Sequence, residues 1–441
     1  MDWNKLITTR RLGLENYNSS HEDVRSEFER DYDRLIFSAP FRRLQNKTQV
    51  FPLPGSIFVH NRLTHSLEVS TVGRSLGCKV AHALRQRHKD DALMFSAVPE
   101  IVQAACLAHD LGNPPFGHSG ELAIATYFSE GKGMPLRQQM SAAEWADLTH
   151  FDGNANAFRM LTHKFVGRRD GGFALTYPTL ASIVKYPYEA RYCPKGKQKF
   201  GFFQQDKELY ERISDYLGIS RDPSYSDFYA RHPLVYLVEA ADDICYQMMD
   251  LEDACKLHIV SFEEAQHLYL GFISAERRDR CMQHCAQLAD TNEQLAYLRT
   301  CAIGALVDGC TEAFLSSEET MLRGESVKTL IKQLPEPLNA PYQACAKTAV
   351  EKIYRSRIVL DIELAGYKVI SALLEHYVDA VMHPGHAYSA RLLDRVPSQY
   401  DVRAEDTYSR ILAVLDFISG MTDVYALDLY RMIQGIDIPK L

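Results

Sequence analysis

Apolar positions recur every three to five residues along most of the chain, so helices dominate what the pattern predicts. In NRLTHSLEVSTVGRSLGCKVAHALRQRH (61–88), Leu63, Leu67, Val72, Leu76, Val80 and Leu84 form one apolar stripe of a long helix. PEIVQAACLAHD (99–110) reads as a buried helix with Pro99 in its first turn, ended by Gly112 and Pro114. A new helix can start at Ser119 and run to about Phe128. Residues 233–256 are the most regular, with Leu237, Ala241, Ile244, Met248, Leu251 and Cys255 alternating at four and three. Further helices are expected over roughly 261–276, 278–316, 341–380 and 405–433. Strand character is confined to FALTYPTLASIVKYPY (173–188) and KFGFFQQ (199–205), which could hold a short hairpin or irregular loops. Breaks at GKGMP (131–135), CPKGKQKFG (193–201), LPEPLNAP (334–341) and HPGH (383–386) are too short for flexible linkers. The pattern predicts an all-α fold with at most a short β-hairpin. One large domain over 1–335 would carry a helical C-terminal lobe over 336–441 packed on it.

Composition narrows the function classes. The 441 residues are 46% apolar and 24% charged, as in an ordinary globular protein, with a formal net charge of −8. No global basic field is available to attract nucleic acid, so a polyanionic ligand must be held by local Lys and Arg groups. Ten cysteines are scattered without a CxxC pair, which suits reduced thiols of a cytoplasmic protein better than a disulfide framework. The opening MDWNKLITTRRLG lacks the apolar core of a signal peptide, and no run of eighteen apolar residues predicts a membrane span.

AHDLGNPPFGHSGE (108–121) concentrates titratable groups at a helix end and in the turn after it. An isolated His-Asp pair is usually a solvated helix cap. Here His65 lies on the preceding long helix and Asp242 on the 233–256 helix. With His109 and Asp110 they could make a His2Asp2 set around a divalent cation, leaving positions for water or substrate. Asp242, Tyr246 and Asp250 fall at i, i+4 and i+8, either a solvated helix face or the wall of a ligand pocket. His118 and Glu121, at i and i+3, face the same way. Glu121 would favour the imidazolium form of His118, a general acid, or would simply meet the helix dipole.

Several ordered blocks carry a family resemblance. NRLTHSLEV (61–69), AHDLGNPPFGHSGE and HPLVYLVEAADDICY (232–246) are similar to the deoxyguanosine-triphosphate triphosphohydrolases, members of the HD-domain phosphohydrolase superfamily. So are FRRLQNKTQVFPL (41–53), FDGNANAFRMLT (151–162), TLASIVKYP (179–187), KFGFFQ (199–204) and SGMTDVYALDLYR (419–431), and the blocks span nearly the whole chain. The resemblance implies an HD-domain helical core with the metal and nucleotide site in residues 1–335. His65, His109, Asp110 and Asp242 match the family's metal ligands, and His118 with Glu121 its catalytic pair. Tyr246 and Asp250 match residues that touch the sugar, with Tyr246 against C2′. Gln49 and Arg62 match residues near the 3′-hydroxyl and phosphates, and His150 resembles a further phosphate-side histidine. Lys185, Tyr186 and Lys199 resemble triphosphate-binding positions, and Arg355 is a further cation without a firm motif.

The implied reaction is hydrolysis of dGTP, or of other dNTPs, to deoxynucleoside and inorganic tripolyphosphate. It would use one divalent ion per site, Mn2+ or Mg2+, with Fe2+ and Co2+ as further candidates. The resemblance also implies a homo-oligomer, dimer or hexamer, and a single-stranded DNA effector. Two alternatives stand beside it: an HD phosphohydrolase acting on a nucleoside monophosphate, cyclic nucleotide or alarmone, and a non-catalytic nucleotide-sensing protein.

Overall fold

The computed structural model describes residues 1–16, 24–51, 58–89, 92–194 and 196–437. The fold is all-α: 65% of the chain is helical, and the one sheet among the described residues has two strands.

Three helices build the centre. Arg62–Arg87 begins at a reciprocal cap in which the Asn61 side chain accepts from Thr64 N–H while Thr64 Oγ accepts from Asn61 N–H. Its face bearing Val69, Leu76 and Val80 is fully buried. Val98–Ala108 lies against that face and is inaccessible along Ile101, Val102 and Ala104–Ala108, as a helix apolar all round should be. Gly73 and Gly77 allow this close crossing, since a Cβ at Gly73 would lie 2.4 Å from Cys106 Sγ and one at Gly77 would lie 2.7 Å from Pro99 Cα. Val235–Lys256 packs across both helices and Thr291–Leu322 covers its outer side.

A second core forms around His118–Ser129, which packs against Arg357–Met382. Thr407–Ser419 and Asp423–Ile433 complete it, through Leu373, Tyr377, Ile411, Phe417 and Leu429. This core takes residues from both sides of position 335: Ile124, Phe128, Phe151 and Phe203 are packed into the same cluster as the C-terminal helices.

Four expectations shift. The hairpin is Arg221–Asp222 paired with Tyr225–Tyr229, and neither aromatic stretch forms a strand. Asp222 accepts from Ser224 N–H at 2.7 Å and closes that turn. Within 173–188 the chain makes the short helix Tyr177–Ala181, with a proline in its first turn. KFGFFQQ is rich in aromatics because Phe200, Phe202 and Phe203 fill cores as irregular backbone. The expected 278–316 helix is two, Ala275–Cys285 and Thr291–Leu322, because Asp290 caps Asn292 N–H and restarts the chain. The 341–380 helix is interrupted by a π-helical turn, Ala349–Ile353. The 405–433 helix breaks at Gly420–Thr422, where Thr422 caps the last helix. The pattern also missed Glu27–Ile36 and Ala142–Thr149, both started by Ser-x-x-Glu capping boxes, and Gly153–Thr162 and Lys207–Leu217. Among the described residues no helix is long and apolar enough to cross a membrane.

The helix crossing gives a paired prediction. Gly73→Val should destabilise the protein by about 1–3 kcal/mol through overpacking against Cys106. Gly304→Ala, on an exposed helical turn with nothing within 4 Å of the added methyl, should stabilise it by about 0.5–1 kcal/mol. Urea midpoints moving in opposite directions would check both.

Candidate active site

The three central helices converge at one corner. His65 comes from the first turn of Arg62–Arg87, His109 from the C-cap of Val98–Ala108, and Asp242 from the second turn of Val235–Lys256. His65 Nε2 lies 3.2 Å from Asp242 Oδ1, and His109 Nε2 lies 3.5 Å from the same oxygen. Each of these three residues offers a ligand atom within 4.8 Å of the others, which suits a single cation. His109 Nδ1 donates to the Cys106 carbonyl at 2.6 Å, which leaves Nε2 as the ligand atom once a cation displaces its proton. That Nε2 is buried with no hydrogen-bond partner, as an atom meant for a metal would be. The donor set therefore fits a divalent ion.

Asp110 stands at the edge of this group. Its Oδ2 accepts from Arg62 Nη1 at 2.8 Å, its Oδ1 accepts from Asn113, and Oδ1 is 3.6 Å from His109 Nε2. Burial opposes charge here, yet Asp110 and Asp242 raise the His109 imidazole to about 9. Burial would likewise lift Asp242, but His109 and His65 hold it well below the usual carboxylate range.

The turn after Asp110 supplies the second group. Phe116 and Gly117 have φ of 62° and 56°, and His118 then opens the next helix. A side chain at Gly117 would come within 2.5 Å of Arg62 Nη2, so glycine serves both the backbone angle and the close approach. His118 Nδ1 donates to Glu121 Oε2 at 2.8 Å. Glu121 Oε1 accepts from Gly153 N–H at 2.7 Å, and Lys199 Nζ lies 3.5 Å from Oε2 and 3.1 Å from Asp152. Burial works against the Glu121 charge, but His118, Lys199 and the Gly153 amide lower it to about 2. The Lys199 ammonium is raised by Glu121 and Asp152 despite burial.

A cavity of about 480 Å³ joins the two groups. Gln49, Arg62, His109, Asp110, His118, Glu121, Lys185, Tyr186, Lys199, Asp242 and Tyr246 all line it. His65 sits behind the wall with 2% of its surface exposed. Lys185 is held by Glu239 at 3.1 Å, so the cations facing the cavity, Arg62, Lys185 and Lys199, each carry a carboxylate partner. Gln49 Oε1 is buried without a hydrogen-bond partner.

Besides His65, three predicted residues stay outside the wall. Asp250 is buried behind it and accepts from Tyr354 O–H at 2.8 Å; burial raises its carboxyl to about 8 against that bond. His150 ends the Ala142–Thr149 helix, its Nδ1 donating to the Ala146 carbonyl at 3.0 Å. Arg355, next to Tyr354, is exposed and does not line the cavity. Tyr354 itself was missed: it lines the cavity and stacks on Tyr246, with ring centres 5.7 Å apart. It lies 104 residues from Asp250 and follows the π-helical turn, so no local spacing announces it. Asn113, Asn154 and Glu363 were also missed as wall residues.

The HD domain model matches residues 62–169, which hold His65, His109, Asp110, His118 and Glu121, and the phosphohydrolase-associated domain matches 333–432. A deoxyguanosinetriphosphate triphosphohydrolase-like protein of Pseudomonas aeruginosa is 40% identical over 449 residues, covering 100% of both chains. The chain belongs to the deoxyguanosinetriphosphate triphosphohydrolase family, within the HD superfamily. A Synechocystis protein of the same -like name is 37% identical over 99% of this chain and 100% of its own. A Yersinia enterocolitica protein named deoxyguanosinetriphosphate triphosphohydrolase is 28% identical over 98% of each. Membership makes this chain an HD-type phosphohydrolase, a class of metal-dependent hydrolases.

Two outcomes follow from the geometry. Replacing His109 or Asp242 by alanine should weaken Mn2+ binding, titrated calorimetrically, by more than about 100-fold, beyond what loss of an outer hydrogen-bond partner gives. Glu121 is ionised down to about pH 2 in the fold against an ordinary 4.5, so its contribution to stability is full above pH 4.5 and is lost as pH falls toward 2. Glu121→Gln should therefore flatten the acid limb of the stability curve between pH 4.5 and 2 and leave its slope above pH 6 unchanged.

Proposed function

We propose that this protein hydrolyses dGTP, and to a lesser degree other dNTPs, to deoxynucleoside and inorganic tripolyphosphate. The observation that carries the reading is the single cavity lined both by His109 and Asp242, with His65 behind them, and by His118 with the buried Glu121. When bound, a divalent cation held by His65, His109 and Asp242, with Asp110 beside it, supplies Lewis acidity toward a phosphoryl oxygen and an activated nucleophile.

The chain's own residues do the rest. Water adds to the α-phosphorus as the bond to the 5′-oxygen breaks, and that oxygen leaves as the nucleoside hydroxyl once protonated. His118 Nδ1 is committed to Glu121, so Nε2 faces outward as the proton donor. Glu121 stays ionised throughout the neutral range and holds the His118 ring by its hydrogen bond. Arg62, Lys185 and Lys199 meet the triphosphate, and their carboxylate partners hold the side chains extended before substrate arrives. Tyr246, stacked on Tyr354 and thereby unable to swing away, closes the space a 2′-hydroxyl would need. Gln49, with its unpartnered oxygen, is placed to accept from a sugar hydroxyl. The same reading includes a cytoplasmic dimer or hexamer. The exposed Leu360 and Leu364 of Arg357–Met382, 44% and 71% exposed, offer an apolar surface for self-association.

The test is a product assay with all dNTPs and NTPs crossed against Mn2+, Mg2+ and Co2+. Tripolyphosphate and deoxyguanosine from dGTP are expected. Pyrophosphate or orthophosphate from the same substrate would point to another HD phosphohydrolase, and binding without turnover to a nucleotide sensor. His118→Ala should lower kcat by roughly 10²–10⁴-fold while retaining dGTP binding. Tyr246→Ala should narrow the preference for dGTP over GTP, read as the ratio of their kcat/KM values.

A further inference from the structure

The chemistry proposed above leaves one buried carboxylate near the site without a task. Asp423 is the first residue of the last helix and is 5% exposed. Its Oδ2 accepts from Thr48 N–H at 2.7 Å and its Oδ1 accepts from Phe116 N–H at 2.9 Å. Thr48 immediately precedes Gln49, and Phe116 stands two residues before His118. Beside it, the buried Lys47 ammonium donates to the Asn113 carbonyl at 2.5 Å and to the Ser419 carbonyl at 2.7 Å. The Asp423 carboxylate and the Lys47 amine, whose ammonium form burial lowers to about 7, thus join three backbone segments, 47–48, 113–116 and 419–423.

The segment with most to lose is the turn. Phe116 holds φ at 62°, a region that disfavours residues with a side chain, so it persists only where its surroundings fix it. Those surroundings are Asp423 on one side and Gly366 on the other, where an added Cβ would lie 2.4 Å from Phe116 Cβ. His118 depends on the turn more than on packing, because its side chain is 82% exposed and its one described side-chain hydrogen bond runs to Glu121. Backbone direction at 116–117 therefore sets where Nε2 points.

We infer that Asp423 is a positioning residue: its carboxylate holds the Phe116–Gly117 turn in the left-handed region and so aims His118, while its second oxygen fixes the segment bearing Gln49. The aiming of a proton donor rests on the reading under Proposed function; the holding of the turn does not. Asp423 makes no described hydrogen bond to His65, His109 or Asp242, so metal binding is separable from its role.

The test uses the full chain with Asp423→Asn and Asp423→Ala. Asparagine keeps the size but has one acceptor oxygen for two amides. In the Mn2+-loaded enzyme, kcat for dGTP should fall on the order of 10- to 100-fold, as for a misplaced reacting group, with Mn2+ affinity unchanged. Combined with His118→Ala, Asp423→Asn should slow turnover little further, since both act on one proton transfer. Amide exchange in peptides spanning 112–118 and 47–50 should accelerate in either variant, a readout that needs no activity. Should Asp423→Ala fail to fold, Asp423→Asn and Gly366→Ala, which crowds Phe116 from the opposite side, carry the same expectation of lowered kcat. Unchanged exchange in both peptides would overturn the inference outright. Faster exchange with unchanged kcat, or losses that multiply with those of His118→Ala, would overturn the link to His118. A wild-type enzyme that leaves dGTP intact would overturn the proposed function, and the exchange result would still decide the hold on the turn.

Discussion

One oxygen atom organises this molecule. Asp242 Oδ1 lies within 3.5 Å of imidazoles from two other helices, at His65 and His109. A carboxylate so placed is costly to bury unless positive charge surrounds it. The His109 imidazole, raised to about 9 by Asp110 and Asp242 against its burial, supplies such charge, and a divalent cation would replace it. The crossing of Arg62–Arg87 with Val98–Ala108 brings the imidazoles together, and the absence of side chains at Gly73 and Gly77 sets how closely those helices meet. Core packing and metal chemistry are in this sense one constraint: helices held further apart could not present three ligand atoms to one point.

The second group is held differently. His118 is exposed and Glu121 buried, so the carboxylate acts as the fixed base of the pair and the imidazole as its reaching end. Glu121 is anchored by the Gly153 amide and by Lys199, which also holds Asp152. The His118–Glu121 pair therefore rests on Gly153–Thr162 and on the aromatic loop around 199–203. It is joined to the C-terminal helices by Asp423 and Lys47. These helices share a core with His118–Ser129, which explains why residues far along the chain shape a site whose chemistry-bearing groups mostly lie before position 250.

The cations around the cavity are local positive charge in an acidic chain. Arg62, Lys185 and Lys199 are each pinned by a carboxylate, so their positions are set in advance at the expense of some of their field. The overall charge of −8 says nothing of this arrangement.

Much of the framework was written in local spacing. The three central helices follow from apolar stripes, and the His109–Asp110 and His118–Glu121 pairs from adjacency and an i, i+3 step. The interruptions were less legible, because a cap such as Asp290 or a π-helical turn at 349–353 acts within one turn and barely alters the apolar period. The hairpin was sought in the wrong place because aromatic richness signals burial as readily as strand: Phe200 and Phe203 fill a core without pairing. What no spacing could decide is which distant groups meet. Asp242 reaching His65, Tyr354 stacking on Tyr246 and Asp423 bridging Thr48 to Phe116 are contacts across more than 100 residues, as many as 375 for Asp423 and Thr48. Such contacts depend on how helices cross, and crossing is fixed by packing of whole surfaces rather than by any one segment.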